Sequence, residues 1–385
     1  MNDNLSLLDN LEITDPQIKE QLDDLCTSSE LSLTALQEIL NRLDKNDIGN
    51  YTFDRIEGSC LHKACMNNED VVTVDIIQLL LETFPTAGGW QMQTSVQTSE
   101  EMIYPLHIAC CNSSLSSSVI ELLVKNAPET LEHMTTAVER FYDVDERDDC
   151  ARGLPLHFYL AEQRDVNIDI VKMMVEAYPQ ALVTADEDWA CYPIHVALFN
   201  EYCGLEVIEY LLEYEPSSIR LLDAYGRSPF HSSCRYRCGV NHLEVVQLFF
   251  AKWPEAIQQR DTWDNWLPIH DISYDSGDLS EDTSLGILRL MLDFDSTLPM
   301  ERADNTGTED DEYLPIHFAA RFQSFACCKL LIDACPETVK IVTANNALPI
   351  HEACKGRSAE IIQYLLDLYP EGCNAHSLDG VSYSL

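Results

Sequence analysis

The sequence predicts an all-α repeat solenoid, and three regularities carry that expectation. Eight of the eleven histidines stand in one local word, Leu, Tyr or Ser, then Pro (Cys60 in the first instance), an apolar residue and His. An apolar stripe at helical spacing follows each word and closes on a proline. Fifteen of the sixteen prolines fall in these two places, and only Pro16 does not. Units written this way bury their apolar faces only by stacking on one another.

The word opens a first short helix. Its instances are SCLHKAC, YPLHIAC, LPLHFYL, YPIHVAL, SPFHSSC, LPIHDIS, LPIHFAA and LPIHEAC, containing His62, His107, His157, His195, His231, His270, His317 and His351. Proline suits the first helical position, because its φ is already helical and its missing N–H would be unpaired there. The stripe is the second helix. In IIQLLLETFP, Ile76, Leu79 and Leu80 share a face, and in IIQYLLDLYP so do Ile361, Tyr364 and Leu365. The closing proline forbids continuation and turns the chain outward.

Successive histidines are 45, 50, 38, 36, 39, 47 and 34 residues apart. With the word itself, this spacing resembles the ankyrin-repeat family over roughly 55–379, and more closely its proline-closed arrays abundant in algal proteomes. The resemblance implies about eight helix-turn-helix units with β-turn fingers. It also implies that each repeat histidine ties its turn to the neighbouring unit through backbone hydrogen bonds. The family's threonine before the proline is Leu or Tyr in six words, so a side-chain N-cap is mostly missing there. A proline also replaces the usual helix-ending glycine, while Gly226, Asn265, Asn345, Asn346 and Gly380 supply turn residues between repeats.

Residues 1–55 lack the word. Two helices are expected there, over 15–26 and 32–43, with Thr34 and Gln37 forming a capping box. The pair reads as a degenerate N-terminal capping segment, with a separate partner-binding hairpin as the other reading. Residues 56–385 form the array, whose last unit is truncated. Insertions at 88–103, 131–153 and 300–313 fall where fingers project, and 273–284 separates the two helices of the sixth unit. The 131–153 insert has seven acidic and three basic residues, 300–313 six and one, and 273–284 four and none.

Net charge is −41, from 65 acidic against 24 basic residues. That argues against nucleic-acid binding, which needs clustered Lys and Arg, and favours a protein partner with a basic surface. Crowded carboxylates are expected to have raised pKa values, so mild acidification from pH 7 should stabilise the fold. No apolar run is long enough to span a membrane, and the acidic N-terminus has no secretory signature. The fifteen cysteines lack a disulfide framework and read as small buried hydrophobes, which suggests cytosol or nucleus.

No cofactor, metal site or catalytic group is expected. His62 with Cys65 and His107 with Cys110 have ligand-like spacing, but each pair stands on its own layer and structural zinc needs four convergent ligands. The acidic run at 143–149 lacks the glycine and glutamate of a calcium loop. Neither a nucleophile elbow nor a phosphate loop occurs. The resulting reading is a non-enzymatic intracellular scaffold that binds a protein on the face made by fingers and first helices. The alternative is an acidic regulator occupying a basic site on an enzyme or chromatin protein. Trp90, Trp189, Tyr192, Tyr225, Trp263 and Trp266 are the candidate partner-binding residues. Trp189, Trp263 and Trp266 could equally lock one finger to the next.

Overall fold

A computed structural model describes residues 16–43, 58–93, 102–135, 153–236, 242–274, 279–304 and 312–374. The chain divides into two compact units, residues 1–188 and 189–385. The acidic run at 143–149 and the incomplete last unit lie outside the described residues, as does most of the acidic sequence of the 131–153 and 300–313 inserts.

Within the first unit four helix pairs follow one another. They are α1 (Pro16–Thr27) with α2 (Leu33–Leu40), α3 (Cys60–Met66) with α4 (Val74–Thr83), α5 (Pro105–Cys111) with α6 (Ser117–Asn126), and α7 (Pro155–Glu162) with α8 (Ile168–Ala177). First helices pack on first helices (α1 on α3, α3 on α5, α5 on α7), and second helices on second helices. Neighbour-only packing of this kind defines a helical-repeat solenoid.

The second unit repeats the arrangement with five pairs. These are α9 (Pro193–Phe199) with α10 (Leu205–Tyr214), α11 (Pro229–Arg235) with α12 (His242–Lys252), α13 (Pro268–Tyr274) with α14 (Glu281–Phe294), α15 (Pro315–Phe322) with α16 (Phe325–Ala334), and α17 (Pro349–Gly356) with α18 (Ala359–Leu368). Three of these second helices, α10, α14 and α16, bury two adjacent pairs of apolar residues, such as Val207, Ile208, Leu211 and Leu212 on α10 or Cys327, Cys328, Leu331 and Ile332 on α16. Two adjacent residues every turn make a face wide enough to touch helices on both sides. Leu79 and Tyr364, expected on that face, are half-buried at its margin.

Sequence reading placed α1 and α2 closely but misassigned the cap. Ser32, not Thr34, is the N-cap of α2, and its hydroxyl accepts from Ala35 N–H at 3.3 Å. Ser32, two residues before Thr34, already holds the extended backbone that a cap needs. Elsewhere the hydroxyl caps have moved to the second helices, where Thr73, Ser280, Ser324 and Ser358 accept from the third residue on.

The closing prolines do more than stop the helix. Pro128, Pro179, Pro216, Pro254, Pro336 and Pro370 each open a short 3₁₀ turn that carries the chain out of the second helix. Three of the expected fingers are paired at their base. Strand β1 (Met92–Gln93) is antiparallel to β2 (Met102–Ile103), β3 (Ala303–Asp304) to β4 (Glu312–Tyr313), and Thr135 bridges Gly153.

Candidate partner-binding surface

The repeat histidines are the scaffold on which this surface rests. In all eight words the backbone N–H of the residue before the proline position donates to histidine Nδ1, at 2.9–3.4 Å. The ring is at the third helical position and so supplies the returning half of a capping box, a place usually taken by Glu or Gln. With Nδ1 accepting, the ring proton is on Nε2. His62, His107, His195, His270 and His317 donate it to the carbonyls of Ile103, His133, Arg227, Glu301 and Ile341 in the following unit, at 2.8–3.2 Å. Ser59 and Ser228 add a hydroxyl contact to Nδ1 at 2.8 and 3.0 Å. Burial pushes His62, His107, His195, His231, His270 and His317 down to about 4. These six rings are therefore neutral, five of them tethers to the following unit, and no group of three potential metal ligands occurs among the described residues.

A second tether runs backwards. Asn67 Nδ2 donates to the carbonyls of Cys26 and Ser28, Asn112 to those of Cys65 and Asn67, and Gln163 Nε2 to those of Cys110 and Asn112. Gln323 reaches Ile272 in the second unit. These amides stand five or six residues after the repeat histidine, a column visible in the sequence and overlooked there. The α1 terminus receives Asn67 as later first helices receive Asn112 and Gln163.

In the second unit aspartate side chains shape two of three successive fingers. Asp223 Oδ1 accepts from Tyr225 and Arg227 N–H at 2.9 and 2.8 Å, and Asp261 Oδ1 from Asp264 and Trp266 N–H at 3.0 and 3.1 Å. Gly226 has φ +74° and lies so close to Thr262 that a Cβ would meet its backbone nitrogen at 2.9 Å. Only glycine fits there. The fingers are joined edge to edge, because Ala224 N–H donates to Trp189 O at 2.7 Å and Thr262 N–H to Tyr225 O at 2.8 Å.

Rings follow the same path. Trp189 stacks on Tyr225 with centroids 5.5 Å apart, and Trp263 meets the other ring edge-on at 5.3 Å. Trp189 is still 37% exposed and Trp263 65%. Beneath them Arg227, almost wholly buried, places its guanidinium 5.0 Å from the Tyr225 ring and pairs with Asp261 at 3.2 Å. The rings lock the fingers together and still present apolar area to solvent.

The other candidates separate. Trp266 is 2% exposed and packs on Phe318 and Tyr274, so it is core and not an anchor. The Asp261 turn swings its backbone inward and carries the indole with it. Trp90 is half-buried against Phe84, with its indole N–H on Thr86 Oγ1 at 3.2 Å. Tyr192 is the half-buried N-cap of α9, its ring 5.9 Å from His195.

Sequence reading missed the inner-helix ends. Phe199 meets Tyr236 at 4.6 Å, and Tyr274 meets Phe322 at 4.8 Å. Two acids, Asp271 and Glu352, are almost wholly buried directly after the histidine. Arg235 approaches Asp271, and Arg321 and Lys355 approach Glu352. The signal was present: in the other words that position is Lys63, Ile108, Phe158, Val196, Ser232 or Phe318, with no acid among them.

Helix pairs stacked through histidine tethers define the class of helical-repeat solenoids. Residues 283–379 match the family model for ankyrin repeats (3 copies), so that stretch carries ankyrin repeats. Such repeats generally mediate protein–protein interaction. No curated protein matches the chain. Among the described residues no helix is long and apolar enough to cross a membrane.

Proposed function

We propose that the protein is a non-enzymatic intracellular scaffold that holds a partner protein against the fingers and inner helices of residues 189–385. The observation behind this reading is the Trp189–Tyr225–Trp263 ladder, rigid aromatic area left exposed on hydrogen-bonded turns. Rigid exposed aromatics bind at low entropic cost. Asp264, Glu301 and the other acids of a chain with net charge −41 favour a partner with a basic surface and speed its approach. Residues 1–55, which contain α1 and α2, act as a cap on the first word-bearing pair, α3 with α4. Nucleic acid is not a partner, and the buried, reduced cysteines suit cytosol or nucleus.

Captured partners compared by quantitative mass spectrometry test this. Trp189→Ala/Trp263→Ala bait should lose at least about tenfold of a specific partner, roughly 1.4 kcal/mol. Raised salt should slow that partner's association. An acidic regulator would behave differently: neutralising 300–313 would abolish capture while the aromatic variant retained it, and that result would overturn the scaffold reading.

A further inference from the structure

The inner-helix ends hold a site that the finger ladder does not use. Arg235, the last residue of α11, places its guanidinium carbon 5.9 Å from the Tyr236 ring, 5.8 Å from Trp266 and 5.7 Å from Tyr274. At the base of this three-ring basket lies Asp271, 1% exposed. The pairing is poor: Arg235 Nη1 reaches only Oδ1, at 3.5 Å, and Asp271 Oδ2 has no hydrogen-bond partner. The basket opens outward, because the Arg235 side chain remains 29% exposed.

A buried carboxylate oxygen without a donor is costly. Burial lifts Asp271 to about 7 even though Arg235 and Arg227 both pull it down, so its charge is incompletely compensated. Arg235 is tied to the end of its own helix and offers one long contact. A guanidinium entering from solvent is free of that restraint and can approach both oxygens side by side, the fork geometry that makes arginine–carboxylate pairs strong. Its planar face also suits the three rings better than an ammonium does. The occupant already present shows which chemistry the basket accepts.

We propose that this basket is a recognition site for an arginine side chain of the partner, which displaces Arg235 and pairs with both oxygens of Asp271. The inference rests on the scaffold reading above and assigns the partner one chemical requirement.

Calorimetric titration of the full chain with a blocked Gly-Arg-Gly tripeptide tests it. Arg235→Met removes the internal competitor and should bind the peptide about tenfold more tightly than the wild type. Asp271→Asn in that background should abolish binding, and the Gly-Lys-Gly peptide should bind about fivefold more weakly than its arginine counterpart. Trp263→Ala in the same background should change nothing, so failure of the finger reading is distinguishable from failure of this one. Equal affinity for wild type and Arg235→Met, or indifference to Asp271→Asn, overturns the proposal. Should Arg235→Met not fold, the Trp266 indole N–H resonance is followed during titration of wild type and Asp271→Asn. A shift that the asparagine removes supports the site, and no shift in the wild type overturns it.

Discussion

At the scale of single residues, one imidazole does two jobs. Where Leu or Tyr replaces the capping hydroxyl, His317 still accepts the Leu314 N–H at 3.1 Å and donates across to Ile341 O at 3.2 Å. His317→Ala leaves a buried donor and a buried acceptor unpaired and opens a cavity, so it should cost about 3–4 kcal/mol in urea denaturation. His317→Gln keeps the returning half of the capping box but cannot span to Ile341, and should recover about 1 kcal/mol. A loss below about 1 kcal/mol for the alanine variant would show that the ring is not a tether. The histidine itself was legible, because eight recurrences of one word cannot be accidental. Its inner partner atoms were not, since they are backbone groups 24 to 41 residues away whose identity no side chain announces.

At the scale of elements, helices were read well and turns were read incompletely. Periodicity finds a helix because four buried positions repeat, as in Val119, Ile120, Leu123 and Val124. The 3₁₀ turns escaped because a proline after a helix looks like a stop whether or not a new turn begins with it. Fingers show the same limit. Trp263 and Trp266 are three residues apart in one acidic stretch, yet one is exposed and the other is core. What separates them is the Asp261 side chain bonding to the Asp264 and Trp266 N–H groups, with Asn265 at φ +56° completing the reversal. Arg227 fixes this finger to its predecessor by pairing with the buried Asp261. Arg227→Ala strands that carboxylate and should cost about 3–5 kcal/mol, with loss of the near-ultraviolet signal of the stacked tryptophans. A cost under about 0.5 kcal/mol would mean that the finger ladder holds without its buried pair.

At the scale of the whole molecule, charge and burial make opposite demands. Net charge of −41 suggested stabilisation by acid through crowded carboxylates. Asp223 and Asp271 are indeed raised, but burial is the largest cause in both, not their neighbours' charge. Their stabilising effect is fully present below the unfolded carboxylate value and is lost as pH rises through the folded one, so acidification favours folding through them. The six histidines held at about 4 act the other way. A depressed folded pKa gives stability that is present above the unfolded value of about 6.5 and is lost as pH falls toward the folded one. Each loses on the order of 1 kcal/mol between pH 7 and 5.5, against a gain of about 1–2 kcal/mol from Asp271. Salt at about 0.15 M screens exposed carboxylates but not buried rings, so the histidines decide. Thermal melting of the full chain at that salt, at pH 7 and again at pH 5.5, therefore tests most directly whether neutral buried histidines hold the stack together. The midpoint should fall on acidification; a midpoint that stays level or rises would contradict the account.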